Sequence, residues 1–360
     1  MNQHFYNIQA LRGIAVLLVI FFHITGVQIK SSVNYPLPEI LQFGAVGVDI
    51  FFLISGFLMM TITQEIRPNT KAAGHFFKRR ALRIYPMYWV VSIPIAYLLF
   101  FGSREVLAAL KLNPDAVQRV QDLPIYLLKS ALLLPQVNLP PLMISWTLIH
   151  EVYFYCAFTF LLLIPNRLRC SVLLAWSLAT LLFWLALKPT QYQPISYLLC
   201  NPLTLEFTTG CFLAVLLRRI TTISYNPRLI FLLGCITIVI SWVLWTSKNN
   251  YEFPIADDRV LYFLLPCTLL MVGAVTMEQQ KIYFYPVLHM IGDASYSLYL
   301  THIIVLSIGR KLWKLQGFED SLFNHLWFWP SLFTCALIVG VLSYRYIEKP
   351  LLQIGRTRRR

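Results

Sequence analysis

The stretch LRGIAVLLVIFFH, residues 11–23, places two ionisable side chains, Arg12 and His23, at either end of an otherwise apolar run. Read as a helix, the eleven-residue step from Arg12 to His23 advances ~16 Å and turns ~1100°, three turns plus ~20°, so both side chains lie on one face. In a bilayer with a ~30 Å hydrocarbon core, that puts Arg12 at a membrane surface and His23 near the midplane. A charged group at such depth costs at least ~2.5 kcal/mol on insertion scales, so His23 is expected to face protein or a water-filled cavity. Two readings compete for it: a neutral imidazole bonded to a neighbouring helix, or a working acid–base group.

Outward from this stretch, the apolar character runs through all 360 residues. Hydrophobic residues make up 58% and charged residues 13%, with a mean hydropathy of +0.63, which leaves too little polar surface to cover a soluble globule. Apolar runs fall near 12–29, 43–63, 85–101, 144–165, 170–187, 200–217, 229–246, 260–276, 291–309 and 327–346. The expectation is an all-α polytopic membrane bundle: one transmembrane domain over 1–360, about ten spans, both termini cytoplasmic. The first run is too long for a signal-peptide core and lacks a small-residue cleavage site, so it reads as a retained span and the protein as starting at Met1. Residues 124–134 are apolar but too short to cross, and Pro135, Pro140 and Pro141 follow, which suggests a re-entrant or interfacial segment.

With the N-terminus inside, most of the 30 Lys and Arg residues fall on inner segments, among them Arg67, Lys71, Lys78, Arg79, Arg80, Arg83 and the C-terminal Arg356, Arg358, Arg359 and Arg360. That is the positive-inside bias, although Arg310, Lys311 and Lys314 run against it. The formal charge of +14 thus belongs to membrane orientation and anionic headgroups and calls for no nucleic acid. The seven cysteines show no CxxC and no pairing with His at metal-ligand spacing. They read as small packing residues, and no metal site is expected.

A few polar residues inside the spans carry the candidate chemistry. In FGAVGVDIFFLISGFLMM, residues 43–60, Gly44, Gly47 and Gly56 permit close helix approach, while Asp49 either pairs with a neighbour or orients His23 from the adjacent span. Arg80 and Arg83 share one side of the following inner segment, as a topology signal or as an anion clamp, since guanidinium forks match phosphate oxygens. Glu151 lies inside the fourth span with Tyr155 one turn on, and its available partners are His23 or a substrate hydroxyl. The preceding His150 does not make a zinc-protease motif, because Phe154 stands where the second His belongs. Ser295, Tyr299 and His302 form a polar stripe; the first two read as interhelical hydrogen-bonding groups and His302 as a second catalytic candidate. Glu348, among basic residues at the inner surface, suggests a salt bridge to the inner basic loop.

Taken in order, these motifs resemble the acyltransferase 3 family of integral-membrane O-acyltransferases along nearly the whole chain. Its first-span Arg-x10-His matches Arg12 and His23, and its second-span Asp-x-Phe-Phe-x-x-Ser-Gly-Phe matches Asp49, Phe51, Phe52, Ser55, Gly56 and Phe57. Its Arg-x-x-Arg falls on Arg80 and Arg83, its Ser-Trp-x-Leu-x-x-Glu on Ser145, Trp146, Leu148 and Glu151, its Ser-Tyr-x-x-Tyr on Ser295, Tyr296 and Tyr299, and its Glu-x-Pro on Glu348 and Pro350. His150 is not part of that pattern. The chain resembles the members without a fused soluble esterase-like domain.

The resemblance implies transfer of an acyl group, most often acetyl from cytoplasmic acetyl-CoA, to a hydroxyl of a cell-envelope carbohydrate such as lipopolysaccharide, from a bacterial inner membrane. It implies roles in which Arg12, Arg80 and Arg83 hold the CoA phosphates, His23 is the general base, and Asp49 or Glu151 orients the imidazole. Direct transfer is the expectation, with an acyl-enzyme on Ser55 as the variant. The residues alone also fit a proton-coupled transporter of an anionic solute, with His23, Asp49, Glu151 and His302 as the relay. The acceptor sugar, the acyl length and the oligomeric state have no signature in the sequence.

Overall fold

A chain surrounded by hydrocarbon must satisfy its own backbone N–H and C=O groups, and the apolar runs do so as helices. The computed structural model describes residues 5–29, 39–101, 122–190, 192–219, 225–249, 258–317 and 320–357, and contains no strand among them. The basic residues Arg358, Arg359 and Arg360 lie outside the described residues. The helices are α1 Tyr6–Ile29, α2 Gly47–Thr63, α3 Thr70–Phe101, α4 Leu123–Ala131, α5 Trp146–Leu161, α6 Asn166–Leu187, α7 Pro194–Leu199 and α8 Leu203–Arg219. They continue as α9 Pro227–Asn249, α10 Arg259–Gln279, α11 Pro286–Asp293, α12 Ser295–Leu315, α13 Leu322–Ser343 and α14 Lys349–Thr357. A 3₁₀ segment, Glu39–Val46, leads into α2, and a π-turn, Tyr344–Glu348, joins α13 to α14.

Among the described residues, eight helical segments are long and apolar enough to cross a membrane, and α11 with α12 forms a ninth if the pair, bent by 72°, is one span. The remaining expected crossing, 144–165, is the 16-residue α5 preceded by the 3₁₀ turn Met143–Ser145. The segment too short to cross is the nine-residue α4, started by Asp122, whose carboxylate accepts the Ile125 amide at 3.1 Å. Arg80 and Arg83 belong to α3 itself, which begins fifteen residues before the expected start of that span at residue 85 and is continuous through Pro86 and Pro94.

Burial sorts the bundle into an inner and an outer set. Within the best membrane-length window, 72% of the α7–α8 segment is buried against 11% of α6, so α8 is a core helix and α6 faces outward. The inner set is α1, α2, α8 and α10, with α12 against α1. Close approach within it depends on missing side chains. A Cβ added at Gly56 of α2 would stand 1.8 Å from the Phe207 carbonyl oxygen, and one at Gly210 of α8 would stand 2.0 Å from that of Leu53. Gly44 and Gly47 are pressed in the same way against Leu18 and Ala15 of α1. All seven cysteines are free.

The helix ends are tied to one another. The Glu278 carboxylate, from the end of α10, accepts the Tyr6 and Asn7 amides at 2.8 Å each and caps α1. Arg169 reaches the carbonyls of Thr63, Ile66, Leu162 and Ile164, binding the exits of α2 and α5 to α6.

Candidate functional site

Nearly two turns into α1 the guanidinium of Arg12 turns toward α12, donating to Ser295 Oγ at 2.9 Å and to Gln9 Oε1 at 3.3 Å. The sharp bend at Ala294 makes this contact possible, since it presents Ser295 as the first residue of α12. Around Arg12, within electrostatic reach, stand Arg83, Glu348, Glu151 and Tyr155. Arg80 lies with its guanidinium 5.6 Å from the Phe76 ring centre and 5.9 Å from that of Tyr155, and it feels the same Arg83 and Glu151. Three guanidiniums from α1 and α3 are therefore gathered around two carboxylates. The Nε of Arg80 is buried with no hydrogen-bond partner among the described residues. Such an orphan donor suits an anionic oxygen.

The carboxylates have partners of their own. The hydroxyl of Tyr155 donates to Glu151 Oε1, as the one-turn spacing suggests. Glu348 does not make the expected salt bridge to the basic loop. The π-turn rotates its side chain inward, where Oε2 accepts Ser297 Oγ at 2.6 Å and the Ser297 amide at 3.2 Å. A carboxylate at that position complements the N-terminal end of α12, where the first amides have no carbonyl of their own helix to bond.

Farther along α1, His23 meets α12 again. Its Nδ1 is 2.9 Å from the Val19 carbonyl oxygen and 3.3 Å from Nε2 of His302, whose own Nδ1 lies 3.1 Å from the Leu298 carbonyl oxygen. His302 is fully buried, whereas His23 is partly exposed. Tyr299 flanks the pair, its ring centre 5.9 Å from that of His302. Its hydroxyl exchanges a hydrogen bond with Thr147 Oγ1 at 2.7 Å and donates to the Ile144 carbonyl at 2.9 Å. Thr147 is the second residue of α5, so the start of that helix abuts the histidine pair.

Asp49 and Glu151, each expected as an orienter of His23, have other partners beside them in the structure. Glu151 belongs to the arginine cluster, and Asp49 is held by Arg259 at the head of α10, which donates Nε to Oδ1 at 3.0 Å and a terminal nitrogen to Oδ2. The same terminal nitrogen of Arg259 also donates to the Ala45 carbonyl at 3.0 Å. Beside them, in electrostatic reach of both, sits the fully buried Glu206 of α8. Sequence reasoning missed both partners: Arg259 stands where a span begins and looks like a boundary charge. Glu206 had a plain signal, an acid inside the run 200–217.

Near the start of α5 an open cleft of about 570 Å³, including space open to solvent, is lined by Gln136, Asn138, Trp146, His150 and Tyr197. Gln136 Oε1 and His150 Nδ1 are buried there without a hydrogen-bond partner among the described residues. His150 otherwise packs among the rings of Phe52, Trp146 and Phe154.

The chain is 26% identical over 329 residues to the exopolysaccharide production protein ExoZ of Rhizobium meliloti, covering 88% of this chain and 92% of that one. It is 26% identical over 374 residues to nodulation protein 10 of Rhizobium leguminosarum bv. viciae, covering 98% and 94%. With the peptidoglycan O-acetyltransferase OatA of Listeria monocytogenes it shares 22% over 366 residues, which is 97% of this chain and 56% of the relative's length. No solved structure is significantly similar to the chain. These relatives give the solute-transport alternative no support. The acyltransferase domain model of the acyltransferase 3 family matches residues 5–345, nearly the whole chain, and the chain belongs to that family.

Proposed function

We propose that the protein moves acetyl from cytoplasmic acetyl-CoA to a hydroxyl of a cell-envelope glycan at the outer face of a bacterial inner membrane, with both termini and the arginine cluster on the cytoplasmic side. The observation that carries this reading is the convergence of Arg12, Arg80 and Arg83, with the buried, unpaired Nε of Arg80, at the inner end of the α1 face that also bears His23. Guanidiniums that repel one another are stable together when an anion sits between them, and CoA supplies phosphates. Glu151 and Tyr155 hold the arginines in register. The step from Arg12 to His23, ~16 Å along α1, is the distance the acyl arm has to cover.

A thioester is already activated, so the protein has to deprotonate the attacking hydroxyl. His23 takes that proton as the acceptor oxygen bonds to the thioester carbonyl carbon; the carbon–sulfur bond breaks, and the proton passes to the departing thiolate. The products are the O-acetyl ester and the free thiol. The cleft beside Trp146 and Tyr197 is where the acceptor approaches, aromatic faces and amides being suited to a sugar ring. The names of ExoZ and OatA, tied to exopolysaccharide and peptidoglycan, support a glycan acceptor.

The test is transfer of labelled acetyl from acetyl-CoA into the envelope glycan fraction by membranes holding wild type or His23→Ala at matched protein level. Wild-type membranes are expected to incorporate label and His23→Ala to lose ~10²–10⁴-fold of the rate, the range for removal of a general base. Equal transfer by both would remove His23 from the chemistry. No transfer into any envelope fraction by the wild type would refute this donor and acceptor.

A further inference from the structure

We infer that His302 is the positioning residue of His23: its ring fixes the hydrogen pattern of the base and receives the positive charge that forms there. The inference rests on the function proposed above, and its test separates the two.

A carbonyl oxygen can only accept. The Nδ1 of His23, 2.9 Å from the Val19 carbonyl, and the Nδ1 of His302, 3.1 Å from the Leu298 carbonyl, each therefore carry the ring hydrogen. In neutral imidazoles that leaves both Nε2 atoms as lone pairs. The 3.3 Å contact between His302 Nε2 and His23 Nδ1 then has one consistent reading, in which the His23 Nδ1–H is shared between Val19 and His302. The opposite tautomer of His302 would set a lone pair against the Leu298 carbonyl and two hydrogens against each other. His23 Nε2, the remaining position, has no hydrogen-bond partner among the described residues and is not among the fully buried polar atoms of this partly exposed side chain. It is the lone pair a hydroxyl can reach.

The arrangement follows the logic of a base and its orienter, with an imidazole in place of the usual carboxylate. When Nε2 of His23 takes the hydroxyl proton, the ring charge spreads to Nδ1–H, where a buried lone pair already waits. A neutral orienter does this without keeping a net negative charge near the membrane midplane, where a carboxylate would be costly. Tyr299, fastened by Thr147 and Ile144, packs against the His302 ring and restrains it.

Three variants test this with the labelled-acetyl assay at matched protein level: His302→Leu, His302→Gln and the double variant His23→Ala/His302→Leu. His302→Leu is expected to lower kcat by ~10–100-fold, the range for removing an orienting partner, with KM for acetyl-CoA unchanged. His302→Gln, whose amide oxygen can stand where Nε2 stood, is expected to recover most of that loss. The double variant is expected to be no slower than His23→Ala alone. Leucine and glutamine variants of equal rate would overturn the inference, as would a further loss in the double variant, which would make His302 act on its own. A readout independent of turnover is the ¹⁵N spectrum of histidine-labelled protein in bilayers. It should show His23 as the Nδ1–H tautomer, with a signal that moves in His302→Leu; an Nε2–H tautomer would refute the proposal even if the wild type transferred no acetyl at all.

Discussion

Asp49 and Arg259 show what a single side chain decides in this protein. Removing either member of the pair leaves the other charge buried, and breaking such a pair costs about 3–5 kcal/mol. Asp49→Asn and Arg259→Gln are therefore expected each to lower the thermal transition and the folded yield in detergent, while the double substitution falls well short of the sum of the two. Additive losses would show that the pair contributes nothing as a pair. At this scale the sequence was informative wherever spacing on one helix fixed the geometry. Arg12 and His23 do share a face of α1, and Tyr155 does reach Glu151 across one turn. It was silent about partners on distant helices, since nothing in the identity of Asp49 distinguishes Arg259, 210 positions away, from His23 on the neighbouring span.

Elements obey coarser rules, and most were legible. Mean hydropathy locates the spans because a helix is the only open-chain way to hide the backbone in lipid. The glycines of α2 announced close crossings without naming the partners, which proved to be α1 at Gly47 and α8, through Gly210, at Gly56. Gly56→Ala and Gly210→Ala, each driving a Cβ into a backbone oxygen, are expected to destabilise by about 1–3 kcal/mol or more, as overpacking does. Gly26→Ala, where an added Cβ meets nothing within 4 Å, is the control and should leave the thermal transition unchanged. The bend between α11 and α12 was not legible. No proline marks it, and it is held from outside by Gln9, which donates to Asp293 at 2.6 Å, and by Arg12 on Ser295. A break imposed by tertiary contacts leaves no local signature.

For the molecule as a whole, sidedness is the property that matters, because the proposed reaction draws donor and acceptor from opposite compartments. The proposed topology sets the exposed Asn138 outside and the exposed His75 inside. In intact cells a membrane-impermeant thiol reagent is expected to label Asn138→Cys above the level of the parent protein and to reach His75→Cys only after lysis. The reverse pattern would invert the bundle and move the arginine cluster to the wrong face for a cytoplasmic donor.

The bond from Glu348 to Ser297 carries a further consequence, one of timing. The two residues are 51 positions apart, and a ribosome adding roughly 5–20 residues per second makes the second of them several seconds after the first. Through that interval the first turn of α12, which Arg12 also grips, has not yet gained its carboxylate. The arginine-bearing end of the site is thus completed only once Glu348 has been made, so synthesis itself delays the moment at which the enzyme can begin to work.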